Sequence, residues 1–185
     1  MNYSEKLTEK LIVIFQNVND WLKFAEAKNA ILLTFCGAAI TTITTYVSTA
    51  TNIPNSLRTG LLIAIFFLCL SSLTCTLSFL PNTKPITTKS SNSKLKDTDI
   101  FYFFGDLKKY NATELLSSIN RLYFENSIPT PYKKEDLDIA KQITINSRIA
   151  ATKFDFFRTG VWLLIVSFLV IPISLVISLL IYRKL

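Results

Sequence analysis

Histidine is absent from all 185 residues, and that absence removes several kinds of chemistry together. The usual zinc sites, histidine-based general acid/base steps and Ser-His or Cys-His nucleophile pairs all need an imidazole. Glycine and proline are scarce, at four and six residues, and no P-loop, GxGxxG turn or run of metal ligands occurs. The three cysteines, Cys36, Cys69 and Cys75, fall inside apolar stretches where thiols act as small packing groups, so no disulfide framework is expected. Neither an enzyme nor a metal site is expected from this composition.

Charge is missing over three long intervals: residues 29–57, 59–83 and 159–182. Each exceeds the roughly 20 residues that cross a hydrocarbon core of about 30 Å. The sequence therefore predicts three transmembrane helices, at roughly 29–50, 59–80 and 160–182. Because these spans hold no Asp, Glu, Lys, Arg or His, they lack the ionisable groups of a proton relay or a charge-coupled carrier. The first apolar run, Leu11 to Phe15, is short and follows Glu5 and Glu9 without a small-residue cleavage site, so no secretory signal is expected.

What charge there is has a direction. Of the 20 Lys and Arg, four precede the first span, Arg58 alone lies between the first two, and thirteen lie from Lys84 to Arg158. The positive-inside rule then places the N-terminus and residues 81–158 in the cytoplasm, with the 51–57 turn and the end of the chain outside. The expected divisions are a cytoplasmic amphipathic helix at 1–28, a transmembrane hairpin at 29–80, a cytoplasmic linker and helical region at 81–158, and a last span with a short external tail at 159–185.

Two of the three spans are entered without a turn. Apolar residues recur at Leu7, Leu11, Ile14, Val18, Trp21 and Ala25, alternating steps of four and three that mark one helix face. No Gly or Pro precedes Gly37, so this helix runs into the first span as a rod of about 45 residues and about 70 Å. Asn52, Pro54 and Asn55 supply a turn before the second span. Residues 81–99, rich in Ser, Thr and Lys, read as a spacer or mobile loop. Next come the aromatic run Phe101-Tyr102-Phe103-Phe104 and an amphipathic helix at 112–124, with Asn111 or Thr113 as its cap. The apolar positions Leu137, Ala140, Ile143, Ile149, Ala150, Phe154 and Phe157 predict a second arm. It continues into the third span, with Gly160 the one break candidate and Pro172 a predicted kink. The fold expected is all-α, two membrane-continuous arms forming a small cytoplasmic bundle with the shorter helix.

Polar residues inside these patterns are the candidates for function. Thr34, Thr41, Thr45 and Ser48 in the first span, and Ser167, Ser174 and Ser178 in the third, form small polar stripes that either pack helices or line an assembled pore. Asn146 interrupts the apolar face of the second arm, and a buried amide there requires a partner such as a side chain of the first arm or a ligand. Arg148, Lys28 and Trp21 stand near the inner boundary, where snorkelling to lipid is the alternative to signal coupling. The 101–104 aromatics are a packing plug, an interfacial anchor or a stacking platform for a nucleobase.

Three segments, Trp21-Leu-Lys-Phe-Ala-Glu-Ala-Lys28, Phe103-Phe-Gly-Asp106 and Ala140-Lys-Gln-Ile-Thr-Ile-Asn-Ser-Arg-Ile-Ala150, in this order before and between the spans, resemble the Pycsar transmembrane effector family of bacterial antiphage proteins. The resemblance covers roughly residues 10–180. Glu26 and Asn29 stand where that family's pattern has an aspartate and a small residue. It implies that cyclic CMP or cyclic UMP from a partner cyclase engages the protein and impairs the inner membrane, so that the infected cell stops growing or dies. The first reading is then a non-enzymatic homo-oligomer, with Trp21, Lys28, Asn146 and Arg148 expected to sense or couple the signal. No nucleic-acid partner is implied. Two other readings stay open: an adaptor that recruits a cytoplasmic partner, and a holin-like toxin that needs no ligand.

Overall fold

The computed structural model describes residues 3–80 and 96–182. Most of the expected linker, residues 81–95, and the tail 183–185 lie outside the described residues. The elements are α1 (Tyr3–Thr49), α2 (Asn55–Ser78), α3 (Phe104–Leu107), α4 (Ala112–Phe124) and α5 (Lys134–Tyr182), with no strand among the described residues. α1, α2 and α5 are each long and apolar enough to cross a membrane.

The described residues divide into two compact units, one of residues 3–25 and 96–153, the other of residues 26–80 and 154–182. In the first, the four-three stripe of α1 is buried as expected: Leu7, Leu11, Ile14 and Val18 pack with Leu115, Leu116 and Ile119 of α4 and Ala140 and Ile143 of α5. Burial of each of the Leu, Ile and Val side chains is stabilising by about 1.5–3 kcal/mol relative to exposure. α4 starts where its cap requires. The Asn111 side chain accepts from the Glu114 backbone N–H at 2.8 Å, while the Glu114 carboxylate accepts from the Asn111 N–H at 2.9 Å, a reciprocal capping box. On α4, Leu122 is 37 % and Tyr123 45 % exposed.

The second unit packs α1, α2 and α5 around Leu32, Cys36, Leu68 and Cys75, with Phe157, Val161 and Leu164 against them, and small polar side chains bond between the helices. Cys36 of α1 donates its thiol to the Ser71 hydroxyl at 3.4 Å, and Ser71 of α2 donates onward to the Gly160 carbonyl of α5 at 2.8 Å. Ser167 of α5 donates to the Ala64 carbonyl of α2 at 3.0 Å. Where apolar burial gives no preference over lipid, close approach of small residues and hydroxyl-to-backbone bonds hold helices together. Gly160 is not a break: α5 passes through it, and a Cβ there would sit 3.0 Å from Leu32 Cδ2, 3.2 Å from Thr74 Oγ1 and 3.3 Å from Cys75 Sγ. Its bareness serves packing. α2 begins four residues before the expected span, directly after Pro54. The charge of Arg58 limits the hydrocarbon-buried stretch, whereas proline sets where the helix starts.

Candidate functional site

Within the first unit, the segment from Asp99 to Tyr110 is a short irregular element carrying α3, held by ion pairs, hydrogen bonds and ring contacts. Phe101 is buried, its ring 5.7 Å from Tyr110 and 5.6 Å from Tyr123 in edge-to-face contacts. Phe101 is therefore the plug among the alternatives for the aromatic run. Lys109 bridges Asp99 at 2.9 Å and Asp106 at 2.6 Å, and the Tyr110 hydroxyl donates to Asp99 at 3.0 Å. Residues 97–99, expected to belong to the spacer, are thus tied in, since Asp97 also pairs with Arg121.

The electrostatics follow from this geometry. Burial pushes the Asp99 carboxyl up, but hydrogen bonds from Lys109, the Lys96 backbone and Tyr110 outweigh it and leave the group below its ordinary value. Tyr110 is driven up by burial and by the hydrogen bond to Asp99. A carboxyl with a lowered folded pKa contributes stability that is complete above the unfolded value, near 3.9, and lost as pH falls through the lower folded value. The solubilised protein is expected to lose stability below about pH 4, and Asp99→Asn to flatten that loss while lowering stability at pH 7. Chemical denaturation at pH 7 and at acid pH checks this, and an unchanged acid profile would contradict it.

Both long helices hold the same segment. From α1, the Asn17 amide donates to the Tyr102 carbonyl, and Trp21 lies 6.4 Å from Phe103 and 5.5 Å from Phe104, centroid to centroid. From α5, Arg148 donates through Nε to the Lys108 carbonyl at 3.1 Å and through Nη2 to the Tyr110 carbonyl at 2.9 Å. These carbonyls follow a one-turn helix and have few helical partners of their own. Two forked donors on one rigid guanidinium satisfy them together, which a lysine ammonium does less well.

Asn146 finds its partner on the first arm, donating through Nδ2 to Asn19 Oδ1 at 2.8 Å. Removing either asparagine alone leaves the other's amide unmatched. Asn146→Leu or Asn19→Leu is therefore expected to cost about 1–2 kcal/mol, and the double variant clearly less than the sum. A double-mutant cycle by denaturant unfolding measures this, and strict additivity would show that the pair is not coupled.

The structure brings Trp21 and Arg148 to one segment and sets Asn146 on the α1–α5 contact. Lys28 belongs to the second unit, its ammonium 5.8 Å and 5.3 Å from the ring centres of Phe154 and Phe157. The two polar stripes are not brought together. Thr34, Thr41, Thr45 and Ser48 are exposed on α1, with Thr34 and Thr41 bonded to carbonyls of their own helix. Ser167 and Ser174 are buried, and Ser178 is half-buried. Asn17, Asn19 and Asp99 were not singled out by the sequence, although Asn17 and Asn19 do interrupt an otherwise amphipathic helix. No group of three or more His, Cys, Asp or Glu suited to a metal occurs among the described residues.

The segments that carry the family resemblance therefore supply the holding groups: Trp21, Phe103 with Phe104, and Asn146 with Arg148. A family model described as the Pycsar effector protein domain matches residues 10–181. No curated protein matches the chain, and no solved structure does.

Proposed function

The chain belongs to the Pycsar effector family, whose role is antiphage defence through a transmembrane effector, and from that premise we propose how this member works. It sits in the bacterial inner membrane with its N-terminus cytoplasmic. It receives cyclic CMP or cyclic UMP made by a partner cyclase, and it responds by impairing the membrane, so that the infected cell stops growing or dies. It acts by assembly and conformational change, without catalysis.

The observation that carries this reading is the dual hold on residues 99–110, Asn17 and Trp21 from α1 and Arg148 from α5. Each of these helices also supplies a membrane-crossing stretch. A ligand that binds the released arrangement more tightly than the held one shifts the population between them; equal affinity shifts nothing. The exposed small face of α1, with Thr34, Gly37, Ala38, Thr41 and Thr45, supports self-association. Bulky side chains such as Trp162, Phe168 and Leu179 cover the exposed surface of α5, and small residues are what membrane helix interfaces favour. Orientation rests on the excess of Lys and Arg between residues 84 and 158.

Influx of a membrane-impermeant dye after induced expression, with and without a co-expressed pyrimidine cyclase, tests the function. Cyclase-dependent influx is expected. Influx without the cyclase would favour the holin-like alternative, and no influx in either strain the adaptor.

A further inference from the structure

Arg148 of α5 carries a charge that its partners do not match. Its guanidinium is half-buried and gives both arms of one fork, Nε and Nη2, to the main-chain carbonyls of Lys108 and Tyr110 at 3.1 Å and 2.9 Å. Among the described residues no carboxylate pairs with it, whereas in the same unit Lys109 is paired with Asp99 and Asp106, and Arg121 with Asp97. Two neutral carbonyls thus sit where an anion fits better. A phosphate presents two oxygens to the same fork, in charge-assisted bonds roughly twice as strong as neutral ones. The bond to the Lys108 carbonyl lies at the surface, so a solute reaches the fork without opening the core. Lys108 is itself exposed and adds a second positive charge to that segment. A phosphate and the two carbonyls cannot fill one fork together, so a ligand that takes it releases residues 99–110 from α5. That exclusion supplies the unequal affinity which a conformational response requires.

We infer that Arg148 binds the phosphate of the cyclic nucleotide in the proposed function, a reading on which this inference rests, and that the Lys108 and Tyr110 carbonyls are its built-in competitor. The segment that carries α3 is an autoinhibitory contact: it occupies the ligand's anchor until the nucleotide displaces it.

Binding of cyclic CMP and of cyclic UMP to the full chain in detergent, measured by isothermal titration calorimetry, separates this role from that of an arginine which only holds the segment. Asn17→Ala removes a bond from α1 to the segment and leaves the fork intact. Because the apparent dissociation constant varies inversely with the competent fraction, this variant is expected to bind the nucleotide at least three-fold more tightly than about the wild-type value. Arg148→Ala loosens the segment as well, yet is expected to bind at least ten-fold more weakly than wild type, with Arg148→Lys between them. An arginine that only held the segment would move Asn17→Ala and Arg148→Ala in the same direction. That result, or wild-type binding by Arg148→Ala, would overturn the inference and leave the nucleotide reading standing. Should Arg148→Ala not fold, amide exchange of the wild type decides. Bound nucleotide is expected to speed exchange across residues 99–110 at least five-fold, and protection or no change there would overturn the inference. Binding of neither nucleotide by the wild type or by Asn17→Ala would overturn the nucleotide reading itself, and the inference with it.

Discussion

Gly60→Leu is expected to abolish the packed membrane unit. Even a Cβ at Gly60 would stand 2.2 Å from Ser174 Cβ and Oγ, far inside contact distance, and both positions belong to long helices that cannot shift one residue alone. Overpacking costs about 1–3 kcal/mol and occasionally more, and leucine adds three further carbons beyond that Cβ. The expected outcome is loss of most of the protein from the membrane fraction, or a chain whose unfolding in mild detergent occurs without added denaturant. The cause is separable from a general intolerance of substitution. Gly60→Ala adds only the offending carbon and is expected to be several-fold less stable than wild type, and Ser174→Gly in the same chain is expected to recover most of that loss. If the paired change recovers nothing, the close α2–α5 approach is not what Gly60 serves.

Arg148→Ala carries the second large effect. It removes both forked bonds and leaves the Lys108 and Tyr110 carbonyls without their donor. Hydrogen bonds to charged groups are worth about 1.5–3 kcal/mol, and one of the two lies at an exposed position, so a total near 3 kcal/mol is expected. That corresponds to roughly 100-fold faster amide exchange across residues 99–110. Arg148→Lys is expected to recover only a minor part, because one ammonium on a flexible stem does not reproduce two fixed donors. Exchange that accelerates equally throughout both units would instead show Arg148 to be an ordinary contributor to global stability. Under the proposed function the same substitution uncouples cyclase-dependent dye influx, while Leu73→Trp, a change at an exposed position of α2, leaves it intact.

The architecture was legible because its signals are one-dimensional. Charge-free intervals marked three spans, the four-three spacing from Leu7 to Val18 marked the buried face of α1, and Asn111, one of two cap candidates with Thr113, is the residue that caps α4. Boundaries set by two competing signals were harder to read. Arg58 ended the apolar count although Pro54 is what starts α2, and Gly160 has the composition of a break but serves close packing inside α5. The site was only half legible. An asparagine on an apolar face announces that it needs a partner, which left Asn146 with a side chain of the first arm or a ligand. Nothing local says that the partner is Asn19, or that the donors of Arg148 close on carbonyls about 40 residues earlier in the chain. Asp97 and Asp99 sit at the end of a stretch whose composition is that of a spacer, and their ion pairs form only once α3 and α4 are folded against them. The small polar residues of the spans looked alike in sequence, yet Ser167 and Ser174 are used inside the chain whereas Thr34, Thr41, Thr45 and Ser48 are left outward.

The central claim is that a cyclic pyrimidine nucleotide acts on this chain itself to breach a membrane. Its most direct test is dye release from sealed liposomes holding the purified protein, measured before and after cyclic CMP or cyclic UMP is added to the face that carries residues 96–153. The account predicts little release before addition, rapid release after it, and a weakened nucleotide dependence in Arg148→Ala. Release that is the same with and without either nucleotide, or no release at all from correctly inserted wild-type protein, would contradict it.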